Sequence, residues 1–124
     1  MGYYSDVKIA CTKGVAEKIF EVSKDIDWNF EIFKSKNGNY IFVWDYIRWW
    51  NGFDAVNKIE AILKDTCDLE DEGWYIIRIG ENITDIDEEH SDHADDLELF
   101  DLIWINREIV CNYDCDKFKV DQIA

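Results

Sequence analysis

Proline is absent from the sequence, and no stretch approaches the roughly 18 apolar residues of a membrane span. Disordered chains are usually rich in proline and poor in aromatics. A proline-free chain with 15% aromatic residues is therefore expected to fold by itself. At 124 residues it is expected to form one domain spanning 1–124 around one core. The opening Met1-Gly2-Tyr3-Tyr4-Ser5-Asp6 carries neither the basic nor the apolar region of a secretory signal, and Asp6 stands where a myristoylation pattern needs Ser or Thr. A cytoplasmic protein with no membrane contact is expected.

The usual marks of catalysis are also missing. The chain has no Gly-rich phosphate loop, no Gly-x-Ser-x-Gly elbow and no His-Glu-x-x-His, and His90 and His93 are its only histidines. Carboxylates are so numerous that a pair of them marks no particular site. The expectation is a non-enzyme without a cofactor. Cys11, Cys67, Cys111 and Cys115 include no Cys-x-x-Cys pair and read mostly as buried thiols. Zinc at Cys111 and Cys115 would need two further ligands that no spacing in the sequence places. Asp85, Asp87 and Glu89 alternate like the first ligands of a calcium loop, but His90 replaces the glycine at the sixth position and Asp96 the glutamate at the twelfth. No metal site is expected.

What the sequence has in excess is negative charge, and it is concentrated. Residues 68–101 hold 14 acidic side chains against Arg78 alone, which accounts for nearly all of the net charge of −15. Asp85, Asp87, Glu88, Glu89, Asp92, Asp95 and Asp96 form its densest part. One reading is a solvated loop that keeps the protein soluble. The other is a surface imitating the phosphate repeat of a nucleic acid, able to enter a basic groove on a partner protein.

Period-two alternation marks a strand at Val7, Ile9 and Cys11, and Val15, Ile19, Val22 and Ile26 mark a helix with Thr12 as its N-cap. Trp28, Phe30 and Ile32 resume the strand period, and Lys36-Asn37-Gly38-Asn39 supplies a hairpin turn into a strand from Tyr40 to about Arg48. Asn51-Gly52-Phe53 breaks the chain, and Val56, Ile59, Ile62 and Leu63 mark a second helix capped by Asp54. A fourth strand runs from Trp74 to Ile79 and ends at Gly80, and a fifth is expected from Leu97 to about Val110. The order predicts an α+β fold: a ferredoxin-like βαββαβ sheet with an added C-terminal strand, both helices on one face.

In such a sheet the second face needs a cover. Ile41, Val43 and Ile47 suit the helix-packed side, leaving Tyr40, Phe42, Trp44, Tyr46, Arg48 and Trp50 on the other. Trp44 and Trp50 are accordingly expected to meet a partner or a second copy of the chain, unless the C-terminal segment forms a second layer. Direct nucleic-acid binding is not expected, because the net charge repels phosphate and the basic-Gly-aromatic motif of RNA-recognition sheets is missing. Arg48, Arg78 and Arg107 lie near Trp50, Trp74 and Trp104 in sequence, so a pocket gripping a nucleotide-like ligand between guanidinium and indole is the alternative. Pairing of each arginine with a nearby carboxylate, such as Asp45 or Glu108, competes with it.

Met1-Gly2 followed by Ser5-Asp6-Val7, Ile47-Arg48-Trp49-Trp50 with Phe53, Arg78-Ile79-Gly80-Glu81, and Arg107 with Ile109 together resemble a group of short proteins of tailed bacteriophages and prophages that open Met-Gly-x-x-Ser-Asp-Val. The acidic insertion after Glu81 is longer than is usual in that group. The resemblance implies a phage accessory protein acting in the host cytoplasm, and small acidic phage proteins often inhibit host immune systems or nucleic-acid enzymes. It supplies no catalytic residues. The leading expectation is a non-catalytic, anti-CRISPR-like inhibitor of a host protein with a basic groove. The alternatives are sequestration of a nucleotide immune signal and a structural or assembly role.

Overall fold

The computed structural model describes residues 3–25, 29–50, 52–82, 84–105, 109–111 and 115–118. It is an α+β fold with an antiparallel sheet and two helices. In chain order the elements are β1 (Ser5–Cys11), α1 (Lys13–Ser23), β2 (Glu31–Lys34), β3 (Tyr40–Ile47), α2 (Asp54–Asp65), β4 (Trp74–Gly80) and β5 (Ile86–His90). A single 3-10 turn (Leu99–Asp101) then leads to β6 (Ile103–Ile105), β7 (Ile109–Cys111) and β8 (Asp116–Phe118). The main sheet has the order β5-β4-β1-β3-β2-β8, and β6 and β7 form a separate ribbon.

Both helices lie on one face. Val15, Ala16, Ile19 and Phe20 of α1 and Val56, Ile59 and Leu63 of α2 bury against Val7, Ile9, Cys11, Phe42, Trp44 and Ile76. Each such large apolar side chain contributes about 1.5–3 kcal/mol on leaving water. Neither helix uses a side-chain cap. Thr12 stands at the N-cap of α1, but its hydroxyl bonds Glu72 and accepts the Gly73 amide at 3.1 Å, tying the start of the helix to β4. Phe53, rather than Asp54, is the N-cap residue of α2.

The hairpin between β2 and β3 forms where the sequence places it. Gly38 takes φ +90°, a conformation that favours glycine, and Ser35 and Asn39 close the turn with a 2.7 Å backbone bond. The faces of β3, however, are the reverse of the expectation. Tyr40, Phe42 and Trp44 point to the helices, and Ile41 and Val43 point away. Ile47 returns to the helix side because β3 bulges: Val7 pairs with Trp44 but Ser5 with Ile47, so that Asp6 opposes two residues. Tyr46, at φ +56°, is the bulged residue, and its amide donates to Asp6 Oδ1 at 2.8 Å.

The second face is covered by the chain itself. Ala94, Leu99, Leu102, Ile103, Cys111 and Cys115 pack on Ala10, Ile41, Val43, Tyr75 and Ile77. This layer replaces the fifth strand expected from Leu97 to about Val110. Residues 92–98 are turns, and Glu98 at φ +63° leads into the 3-10 turn, so that Leu97, Leu99 and Leu102 press onto the sheet instead of extending along it. The true fifth strand lies earlier, inside the acidic run, where Ile86–His90 pairs with β4. Among the described residues, no helix is long and apolar enough to cross a membrane.

Candidate functional site

β5 divides the acidic run in two. Residues opposite one another in an antiparallel pair share a face, so Asp87 and Glu89, opposite Arg78 and Ile76, lie on the helix side. Glu88 and His90, opposite Ile77 and Tyr75, lie on the other. There the Tyr75 hydroxyl donates to Glu88, and the rings of Tyr75 and His90 both meet Phe100 edge-on, at 4.8 and 5.0 Å. Burial and the Glu88 carboxylate together push the Tyr75 phenol well above its ordinary range.

The first half of the run is committed to Arg78. Its guanidinium reaches Asp85 Oδ1 at 2.5 Å and Asp87 Oδ2 at 2.6 Å, and it donates to Ser5 Oγ at 3.0 Å. The Tyr3 hydroxyl adds a 2.6 Å bond to Asp85. Hydrogen bonding from Arg78 and then from Tyr3 holds the Asp85 carboxyl down at about 2. Asp85 and Asp87 thus act as internal counter-ions, and a guanidinium with two carboxylates in place has little capacity left for a phosphate.

The second half forms no ion pair with Lys or Arg among the described residues and gains a neighbour that the sequence separates from it by some twenty residues. Asp92, Asp95, Asp96 and Glu98 are exposed on the turns after β5 and Asp101 at the end of the 3-10 turn, while Asp65 at the end of α2 and Asp68, Glu70 and Asp71 on the segment from α2 to β4 are exposed too. The Asp92 amide donates to the Cys67 carbonyl at 2.8 Å, the Ser91 amide donates to the Trp74 carbonyl at 2.9 Å, and Ser91 Oγ accepts from the Trp74 amide at 3.0 Å. Gly73 permits this closure, since a Cβ there would sit 2.5 Å from Ser91 Oγ. The two loops therefore form one acidic end of the molecule, flanked by Lys36 and Lys64 and carrying the weak pair His93–Asp96 at 3.4 Å. Asp65, Asp68, Glu70 and Asp71 were visible as charge in the sequence, but nothing in it joined them to Asp92.

The opposite end of the sheet is aromatic. Tyr46, 68% exposed on its bulge, stacks on Tyr4 with centroids 4.2 Å apart. Arg48 lies over the rings of Tyr4 and Trp50, at 5.4 and 5.7 Å, and donates to the Tyr4 hydroxyl at 3.2 Å. Half-buried Trp50 packs on Phe53 and donates its indole N–H to the Tyr3 carbonyl at 2.8 Å. No ion pair to Arg48 occurs among the described residues. Tyr46, which the period-two pattern assigned to a flat strand face, owes its exposure to the bulge.

Of the residues in the alternative tryptophan–arginine pocket, Arg48 lies over Trp50 and the others are dispersed where they are described. Trp74 is buried at the acidic end with its indole N–H on the Leu63 carbonyl at 2.6 Å, Trp104 is exposed on β6, and Arg107 lies outside the described residues. Trp44, expected on an open face, is fully buried among Phe30, Phe42 and Trp49. All four cysteines are free, and no cluster of three potential metal ligands occurs among the described residues. No protein-family model, no curated protein and no solved structure matches the chain.

Proposed function

We propose that this chain is a non-catalytic, phage-encoded inhibitor that works in the host cytoplasm by docking its acidic end into the basic groove of a defence or nucleic-acid-processing protein. The observation that carries the reading is the junction of two separate carboxylate-rich loops by the Asp92–Cys67 bond, which concentrates nine exposed carboxylates at one end. Clustered charge of this kind attracts a cationic groove over a Debye length and competes with phosphates for it. The β4-β1-β3-β2 core with both helices on one face we read as ferredoxin-like, a scaffold that leaves the loops at the end of its strands free to vary.

The test is an affinity capture from host lysate, followed by binding measurements with the recovered protein. Replacing Asp92, Asp95 and Asp96 by Asn and Glu70 by Gln is expected to leave the fold intact and to weaken binding at least tenfold, with an association rate that falls steeply as salt rises. Undiminished affinity with a flat salt dependence contradicts the proposal.

A second reading, capture of a nucleotide-like ligand, draws on one observation at the other end: Arg48 lies between aromatic faces and pairs with no carboxylate among the described residues. A nucleotide co-purifying with the protein, and lost on Arg48→Ala, would favour it over the first.

A further inference from the structure

A groove runs between α2 and β5 over the helix-facing side chains of β4. Two cavities of about 410 and 300 Å³ lie along it and share Glu60, Ile76 and Glu89. Trp74, Ile76 and Leu63 give the groove an apolar floor and wall, Tyr3 and Trp49 bound one end, and Cys67 bounds the other. From Trp74 to Arg78 the floor advances four residues, on the order of 13 Å. These volumes fall in the range of small-molecule sites.

The charges along the groove are unequal. Glu60, Asp85, Asp87 and Glu89 face Arg78 and Lys64, an excess of two negative charges. Arg78 is saturated by Asp85 and Asp87, whereas Glu60 and Glu89 form no ion pair among the described residues. Desolvation, with the Glu89 charge second, pushes the Glu60 carboxyl above its ordinary range, so these two carboxylates feel each other across an apolar floor.

An occupant complementary to this groove carries about two positive charges, so that it offsets the excess. It also needs an apolar body narrow enough to lie along a strand. A divalent metal ion has the charge without the apolar body, and a singly charged aromatic cation has the body without the second charge. We propose that the groove binds a linear aliphatic polyamine, with its methylene chain on Trp74, Ile76 and Leu63 and its ammonium groups on Glu60 and Glu89. The site lies on the helix face of the sheet and meets the acidic end only at Lys64, Cys67 and Trp74, so it stands whether or not that end docks a protein partner.

Cadaverine, a linear diamine with two ammonium groups, is the probe, titrated by calorimetry and tryptophan fluorescence at about 150 mM salt, where the Debye length is about 8 Å and loose attraction to a −15 protein is screened. The expected result is one equivalent bound and a change in indole emission, since Trp49 and Trp74 line the groove. Glu60→Gln with Glu89→Gln weakens binding about tenfold or more, while Asp92→Asn with Asp95→Asn and Asp96→Asn changes it less than about twofold. Lys64→Glu, on the exposed helix surface, tightens binding and serves as a second variant should the first fold poorly. Binding of several equivalents, equal losses in both neutralised variants, or full displacement by an equal concentration of Mg²⁺ would overturn the proposal. Each of those outcomes reports charge alone, without a groove.

Discussion

The two ends of the sheet are separated by the seven-residue strands β1 and β4, on the order of 20 Å, and they solve opposite problems. At the acidic end, like charges are brought together by backbone bonds from Asp92 and Ser91 and by a glycine that lets two loops touch. At the aromatic end, Tyr4, Tyr46, Arg48 and Trp50 hold one another by stacking, and Arg78 neutralises the carboxylates that stray there. Position along β5 thus decides what a carboxylate does. Near its start a cation is in reach and the group becomes structural, and beyond its end the one ion pair among the described residues is His93 to Asp96.

The largest loss is expected from damage to the core beneath both ends. Trp44→Ala removes a fully buried indole from the helix-side core and is expected to cost about 3–5 kcal/mol, read as a large fall in melting temperature with unchanged self-association. That reverses what a partner-facing Trp44 would do. Arg78→Met comes next. It leaves Asp85 and Asp87 close together without their cation, and a loss of about 1–2 kcal/mol is expected in urea unfolding, moderated because water reaches Asp87.

Acid acts on the same ion pairs. The folded Asp85 carboxyl is held at about 2, below its ordinary value of 3.8, so its contribution to stability is present above 3.8 and is lost as pH falls towards 2. A carboxyl-detected titration should show this low midpoint, and Arg78→Met should raise it. Glu60 runs the other way. Its raised value means that its contribution is present below the ordinary glutamate range and is lost as pH rises through the folded value, so Glu60→Gln should slightly raise the melting temperature at neutral pH.

Much of the framework was legible in the sequence, because α1, α2, β1, the Gly38 hairpin and β4 each carry one clear period or turn signal. The faces of β3 were not. Covered on both sides, the strand is apolar at Tyr40, Phe42 and Trp44 and also at Ile41 and Val43, so alternation gave no direction, and the Tyr46 bulge then shifted the remaining parity. β5 was hidden for a different reason. A sheet edge tolerates charge on both faces, so Ile86-Asp87-Glu88-Glu89-His90 reads as a loop by composition yet pairs through its backbone. The candidate site was legible as charge but not as geometry, since the contact between Cys67 and Asp92 depends on where β4 starts and β5 stops.

The division of the acidic run into a structural part and a free part is tested most directly by melting two variants that remove the same charge. Asp85→Asn with Asp87→Asn should lower the melting temperature, because it strips Arg78 of both counter-ions and Tyr3 of its charged acceptor. Asp95→Asn with Asp96→Asn should leave it unchanged or raise it slightly by relieving repulsion. Equal shifts in the two variants, or a larger loss in the second, would contradict the account.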